Sequence, residues 1–128
     1  MEFRYERIEA GEPILKLIDR ICVLVGFFPQ DEKWILGSQI RRAANSVFLN
    51  LAEGSARRSY KEFARFLTIS MASLAEVHAC LVLARRRNYI NQKCFDEIQP
   101  LIEEVWFKLW NLRESQIKKA RCRFGQDR

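Results

Sequence analysis

The sequence predicts an all-α protein, an up-down-up-down four-helix bundle forming a single domain over residues 1–128. Three observations predict it. Apolar residues recur at three- and four-residue steps in four separate segments, the pattern of helices that each bury one face. The segments are joined by connections of a few residues, so consecutive helices must run antiparallel. With 48% of its 128 residues apolar and 12% aromatic, the chain can build a core without staples, and it is no disordered protein.

Residues Met1 to Glu12 mix Glu and Arg with Phe3, Tyr5 and Ile8, and read as a helical lead-in or a loosely held arm. Pro13 suits the first turn of a helix, where its missing amide would be unbonded anyway. The stripe Leu17, Ile18, Ile21, Leu24, Val25 and Phe28 carries that helix to about residue 28. Pro29 ends it, and Asp31 offers a cap for the next.

The second helix, about 31–53, organises the chain. Its stripe is Leu36, Ile40, Ala43, Ala44, Val47 and Leu51, and Gly54 stands where a left-handed C-cap is expected. Ser59-Tyr60-Lys61-Glu62 reads as a capping box opening a third helix, about 60–86, with Phe63, Phe66, Leu67, Ser70, Leu74, Val77, Leu81 and Ala84 inward. Arg85 to Tyr89 close it. Asn91 caps a fourth, about 91–120, with Cys94, Phe95, Ile98, Leu101, Ile102, Val105, Leu109 and Leu112 on its stripe. Pro100 means that this helix either begins later or is kinked. A basic tail, 118–128, follows.

The net charge of +6 and pI near 9.4 point to a polyanionic partner. Cys22, Cys80, Cys94 and Cys122 show no CxxC pair and no clustering, and Cys22, Cys80 and Cys94 fall on or beside apolar helical stripes, which favours free, buried thiols there over zinc or disulfides. The opening residues do not show a charged segment followed by an apolar run and a small-residue cleavage site, and no run approaches the ~18 uninterrupted apolar residues of a membrane span. A reducing cytoplasm and no membrane association are expected.

Two helices carry more apolar surface than a bundle core needs. Trp34, Ile35 and Leu49 lie away from the second helix's stripe, with Phe48 on its flank, and Trp106, Phe107 and Trp110 project to one side of the fourth. Large aromatics on a second face mark a subunit or partner contact, or a broad core seam. Catalytic chemistry is not legible. His78 is the only histidine, two residues after Glu76 and so wrongly spaced for a di-iron Glu-x-x-His pair. Gly54 stands alone, not in a phosphate-cradling loop. Glu53, Glu62 and Glu76 read as partners for Arg41, Arg42 or Arg65 in interhelical ion pairs. No enzyme, metal or cofactor is expected.

Antiparallel helices bring the second connection and the end of the fourth helix to one end of the bundle, gathering Arg57, Arg58, Lys61, Lys118, Lys119, Arg121 and Arg123. Exposed cations on short segments release counterions when they meet phosphate; the alternative is a solvated charge run. On the second helix Asn45, Ser46 and Asn50 favour a subunit interface. Arg41 and Arg42 fit phosphate or subunit contacts equally.

Ile35 to Val47, then Asn50-Leu51-Ala52-Glu53-Gly54-Ser55, Lys61-Glu62-Phe63, Phe66-Leu67 and Ser73-Leu74-Ala75-Glu76-Val77 resemble the small bacterial four-helix-bundle proteins known as ribosomal-RNA intervening-sequence proteins. The resemblance covers about Phe28 to Ile90. It departs at Ser70-Met71-Ala72-Ser73, where the family more often has a small residue and Gly before that Ser. The resemblance implies a ring-like homopentamer, a non-enzymatic role and an association with RNA. The fold class it implies also includes the accessory variability determinant proteins of diversity-generating retroelements, basic pentamers that bind a reverse transcriptase and its template RNA. Two functions follow as expectations: an oligomeric RNA-binding bundle acting through its basic surface, or an accessory scaffold for a reverse transcriptase.

Overall fold

The computed structural model describes the backbone of residues 1–126 and the side chains of residues 1–122. A 3₁₀ turn at Arg4–Arg7 precedes α1 (Gly11–Val25), α2 (Gln30–Trp34), α3 (Leu36–Ser55), α4 (Tyr60–Arg86) and α5 (Gln92–Gln126). α2 is little more than one turn. The four long helices form the up-down-up-down bundle, and no strand occurs among the described residues. Packing runs from α1 to α3, α3 to α4, α4 to α5 and α5 back to α1, so α1 lies diagonally across from α4 and α3 from α5. The α4–α5 face is therefore opposite the α1–α3 face.

The core is the four stripes meeting. Every stripe residue of α3 and α4 is buried, as are Leu17, Ile21, Leu24 and Val25 of α1, Phe28 just after it, and Ile98, Ile102, Val105 and Leu109 from α5. Ile18, Cys94, Phe95, Leu101 and Leu112 pack partly buried at its edge. α4 is long and apolar enough to cross a membrane by length and composition alone, but its apolar residues line this core. At the departure noted above, α3 and α4 are joined by hydroxyls: Ser70 Oγ donates to the Val47 carbonyl at 2.7 Å, and Ser46 and Ser73 Oγ lie 2.8 Å apart.

Local geometry corrects several expectations. Gly54 is no C-cap: α3 continues through Ser55, and among the described residues no glycine has a left-handed backbone. A Cβ at Gly54 would stand 2.6 Å from Phe66 Cβ and 3.0 Å from Phe63 Cδ1, so glycine is needed there for close helix approach. The second helix is also not continuous. Ile35 (φ −100°, ψ −86°) leaves helical geometry and separates α2 from α3, and Arg41 Nη2 donates to the Lys33 carbonyl at 3.5 Å beside this break. Pro29 stands at the N-cap position of α2 with no side-chain cap, and Asp31 lies inside the helix instead of capping it.

Ser59 Oγ accepts the Glu62 amide at 2.9 Å, but the Glu62 carboxylate accepts from Arg65 Nε at 2.8 Å instead of closing the box. α4 is closed by Asn88, two residues past its end, whose φ of 62° lets the Tyr89 and Asn88 amides reach the Ala84 and Arg85 carbonyls. That is a Schellman ending with Asn in the glycine position. Asn91 Oδ1 accepts the Cys94 amide at 2.8 Å. Pro100 sits inside α5 on an exposed position, so the helix does not begin after it.

Residues 1–10 form a held arm. Tyr5 meets the Phe48 ring edge-on at 5.6 Å, Arg4 lies 5.1 Å from the Phe63 ring centroid, and Glu9 accepts from Lys108 Nζ of α5 at 2.8 Å. That bond holds the Glu9 carboxyl below its ordinary range and the Lys108 amine above its own.

Candidate nucleic-acid interface

The end of the bundle where α3 stops, α4 starts and α5 runs past is built from the α3–α4 connection, the first turns of α4 and residues from about 113 of α5. Arg57 and Arg58 come from the connection, Lys61 and Arg65 from α4, and Lys118, Lys119 and Arg121 from α5; all are exposed. The Lys119 ammonium lies 5.8 Å from the Tyr60 ring centroid, which ties the α5 cations to the start of α4. Arg123 lies outside the described side chains.

Phe66 anchors two of these groups. The Arg57 guanidinium is 4.8 Å and that of Arg65 4.6 Å from its ring centroid, so both planes are positioned while their charge faces solvent. Each also has a local acid: Arg57 Nη2 is 2.9 Å from Glu53 Oε1 and Arg65 Nε 2.8 Å from Glu62 Oε2. These pairs are within a turn, not between helices as expected. The Arg65 hydrogen bond, with Arg57 and Lys61 nearby, holds the Glu62 carboxyl below its ordinary range. Arg58, Lys61, Lys118, Lys119 and Arg121 make no ion pair among the described residues. Arg4 was missed by the sequence reading: its Nη1 reaches the Ser55 carbonyl at 3.4 Å, bringing a far N-terminal charge to this end. Arg65 was assigned only an ion-pair role, since nothing in sequence places it on Phe66.

Arg41 and Arg42 belong elsewhere. They lie in the first half of α3, toward the opposite end, with Arg41 partly buried and bonded to the α2 backbone and Arg42 exposed. Asn50 is engaged within the chain, its Nδ2 donating to the Ser46 carbonyl and Oγ, both at 2.9 Å, and Phe48 is covered by Tyr5. Trp34, Asn45, Leu49, Trp106, Phe107 and Trp110 are all exposed. Arg113 stacks 4.7 Å from the Trp110 ring centroid. Beside Trp106 and Phe107 a groove of about 500 Å³ opens between α4 and α5.

His78 lines that groove, its Nε2 3.1 Å from Gln99 Oε1, a paired and partly exposed side chain. Among the described residues no three His, Cys, Asp or Glu side chains group as metal ligands. The cysteines are free, but Cys22 is exposed rather than buried, because it falls on the outer side of α1, and Cys94 is half-buried. Burial pushes the Cys80 thiol up, with the Glu76 charge adding to it.

The model of the 23S rRNA-intervening sequence protein family matches residues 8–111. The chain belongs to that family. Its bundle is shared by a solved structure of a protein of unknown function from the S23 ribosomal protein family of Bacteroides thetaiotaomicron VPI-5482. That structure is 24% identical in sequence, with a TM-score of 0.75 covering 82% of this chain and 95% of the other. At that identity the likeness speaks for the fold alone. No curated protein matches this chain. The family match takes in α1, α3, α4 and the first part of α5, and stops before Lys118, Lys119 and Arg121, so the α5 half of the basic end lies beyond it.

Proposed function

We propose that this member of the intervening-sequence protein family is a non-catalytic, cytoplasmic RNA-binding bundle that works as a ring-like homo-oligomer, a pentamer by the family resemblance. The observation that carries the reading is the gathering of Arg58, Lys61, Lys118, Lys119 and Arg121 at one end, exposed and without ion-pair partners among the described residues. Cations so arranged neutralise phosphates with little desolvation cost and read no base, so recognition is of the backbone.

The test is equilibrium binding of the purified protein to an unstructured RNA oligonucleotide at increasing salt. Five phosphate contacts per copy give a slope of about −3.5 in log affinity against log salt, a loss of roughly a hundredfold between 50 and 200 mM. Reversing Lys118 and Lys119 to Glu flattens the slope. Binding that is absent at low salt, or indifferent to salt, refutes the proposal.

A second reading is an accessory scaffold that holds a reverse transcriptase and its template RNA in a diversity-generating retroelement. It draws support from the exposed Trp106, Phe107 and Trp110 on α5, a surface suited to a protein partner. Co-purification with a reverse transcriptase that is lost on changing Trp110 to Glu would favour it; a partner-free preparation weighs against it.

A further inference from the structure

The apolar surface outside the core takes two shapes on opposite sides of the molecule. One is a knob. Where the chain breaks at Ile35 between α2 and α3, Trp34 and Ile35 stand out at 72% and 64% exposure. The other is the α4–α5 groove, floored by Leu74, Ala75 and Ile102 and walled by Trp106 and Phe107, the latter 61% exposed. Its volume of about 500 Å³ has room for one Trp and one Ile side chain together. The knob cannot fill the groove of its own chain, because α2 packs on α3 and the groove lies on the opposite α4–α5 face.

We infer that the groove of one copy receives Trp34 and Ile35 of a second copy, so that the chain associates head to tail. The inference rests on the oligomeric reading above and specifies its contact. Scaled by their exposure, Trp34, Ile35, Trp106, Phe107 and the neighbouring Trp110 offer on the order of 600 Å² of apolar side chain. That is about two thirds of the apolar surface removed from water in a standard-size interface. The edges carry charges of both signs, Asp31 and Lys33 beside the knob and Glu103 beside the groove, as a polar rim requires. Because knob and groove are different surfaces, a pair of copies keeps one knob and one groove free. Association therefore continues until a ring closes, whereas a self-complementary patch would stop at two.

Complementation of two defective chains tests this. Trp34→Glu removes the knob and Ala75→Lys blocks the groove; both positions are exposed, so the bundle is left intact, and Phe107→Lys is a second groove variant. By analytical ultracentrifugation the wild type is expected to be an oligomer and each variant alone a monomer of 15.2 kDa. An equimolar mixture of Trp34→Glu with either groove variant is expected to give a species of two chains and nothing larger, since one intact knob meets one intact groove. If the variants assemble like the wild type, or the mixture stays monomeric while the wild type is oligomeric, this contact is wrong and the oligomeric reading survives. A monomeric wild type removes both.

Discussion

Replacing Gly54 by Ala separates two reasons for a glycine at the end of α3. The added methyl carbon would stand 2.6 Å from Phe66 Cβ and 3.0 Å from Phe63 Cδ1, against ~3.5–4.0 Å for an unstrained carbon contact. The Phe63 ring can tilt, but Phe66 Cβ is fixed to the α4 backbone, so α3 and α4 must part by on the order of 1 Å. Overpacking of this kind costs about 1–3 kcal/mol, while Ala for Gly inside a helix returns about 1 kcal/mol. The net is a loss of roughly 0–2 kcal/mol, and the fixed Phe66 Cβ at 2.6 Å puts it in the upper half of that range. In urea unfolding followed by circular dichroism the midpoint should fall by roughly half to one molar, with the slope unchanged. Gly54→Asn should be worse than Ala, because its side chain is larger; a left-handed cap would instead accept Asn more readily. An Ala variant as stable as the wild type, or an Asn variant more stable than Ala, would refute the close-approach argument.

Ser70→Ala removes a fully buried hydroxyl bonded to the Val47 carbonyl at 2.7 Å and should cost about 1–2 kcal/mol in the same assay. At Asn88, held at φ 62°, Gly should leave the thermal midpoint unchanged or raised, whereas Ala should lower stability by about 1 kcal/mol. The Glu9–Lys108 bond at 2.8 Å should tether the arm only between two titrations. It is lost as pH falls through the lowered Glu9 value and as pH rises through the raised Lys108 value. Amide exchange in residues 4–8 should accordingly speed up below the usual carboxylate range, and in Glu9→Gln at neutral pH; unchanged exchange in that variant counts against the tether.

The bundle was legible because core formation is a matter of period. Every residue of the stripes legible on α3 and α4 is buried, with Ala64, Met71 and Cys80 joining them on α4, Asn91 is recognisable as a cap, and the motifs running from Ile35 to Val77 point to the family that the chain joins. Local signals were misread where one residue type serves two ends. Gly54 satisfies both a C-cap and a close approach, and only Phe66 across the interface distinguishes them. Glu62 can close a capping box or take Arg65, and the bond charged on both partners wins over one charged on the carboxylate alone. The break at Ile35 left no mark, since Trp34, Ile35 and Leu36 carry no helix breaker among them.

What the sequence determined by itself is the set of helices, their inward faces and the excess of positive charge, because each depends on the spacing of residues within one segment. Tertiary structure decided which charges meet: Arg4, 51 positions before its Ser55 partner, joins Arg57, and Lys119 comes to Tyr60. It also divided the surplus hydrophobes, drawing Phe48 under Tyr5 while leaving Trp34 as a knob and Trp106 and Phe107 beside a groove. Such outcomes depend on distances between helices, and a helical period fixes the direction a side chain takes from its own axis but not what lies in its path.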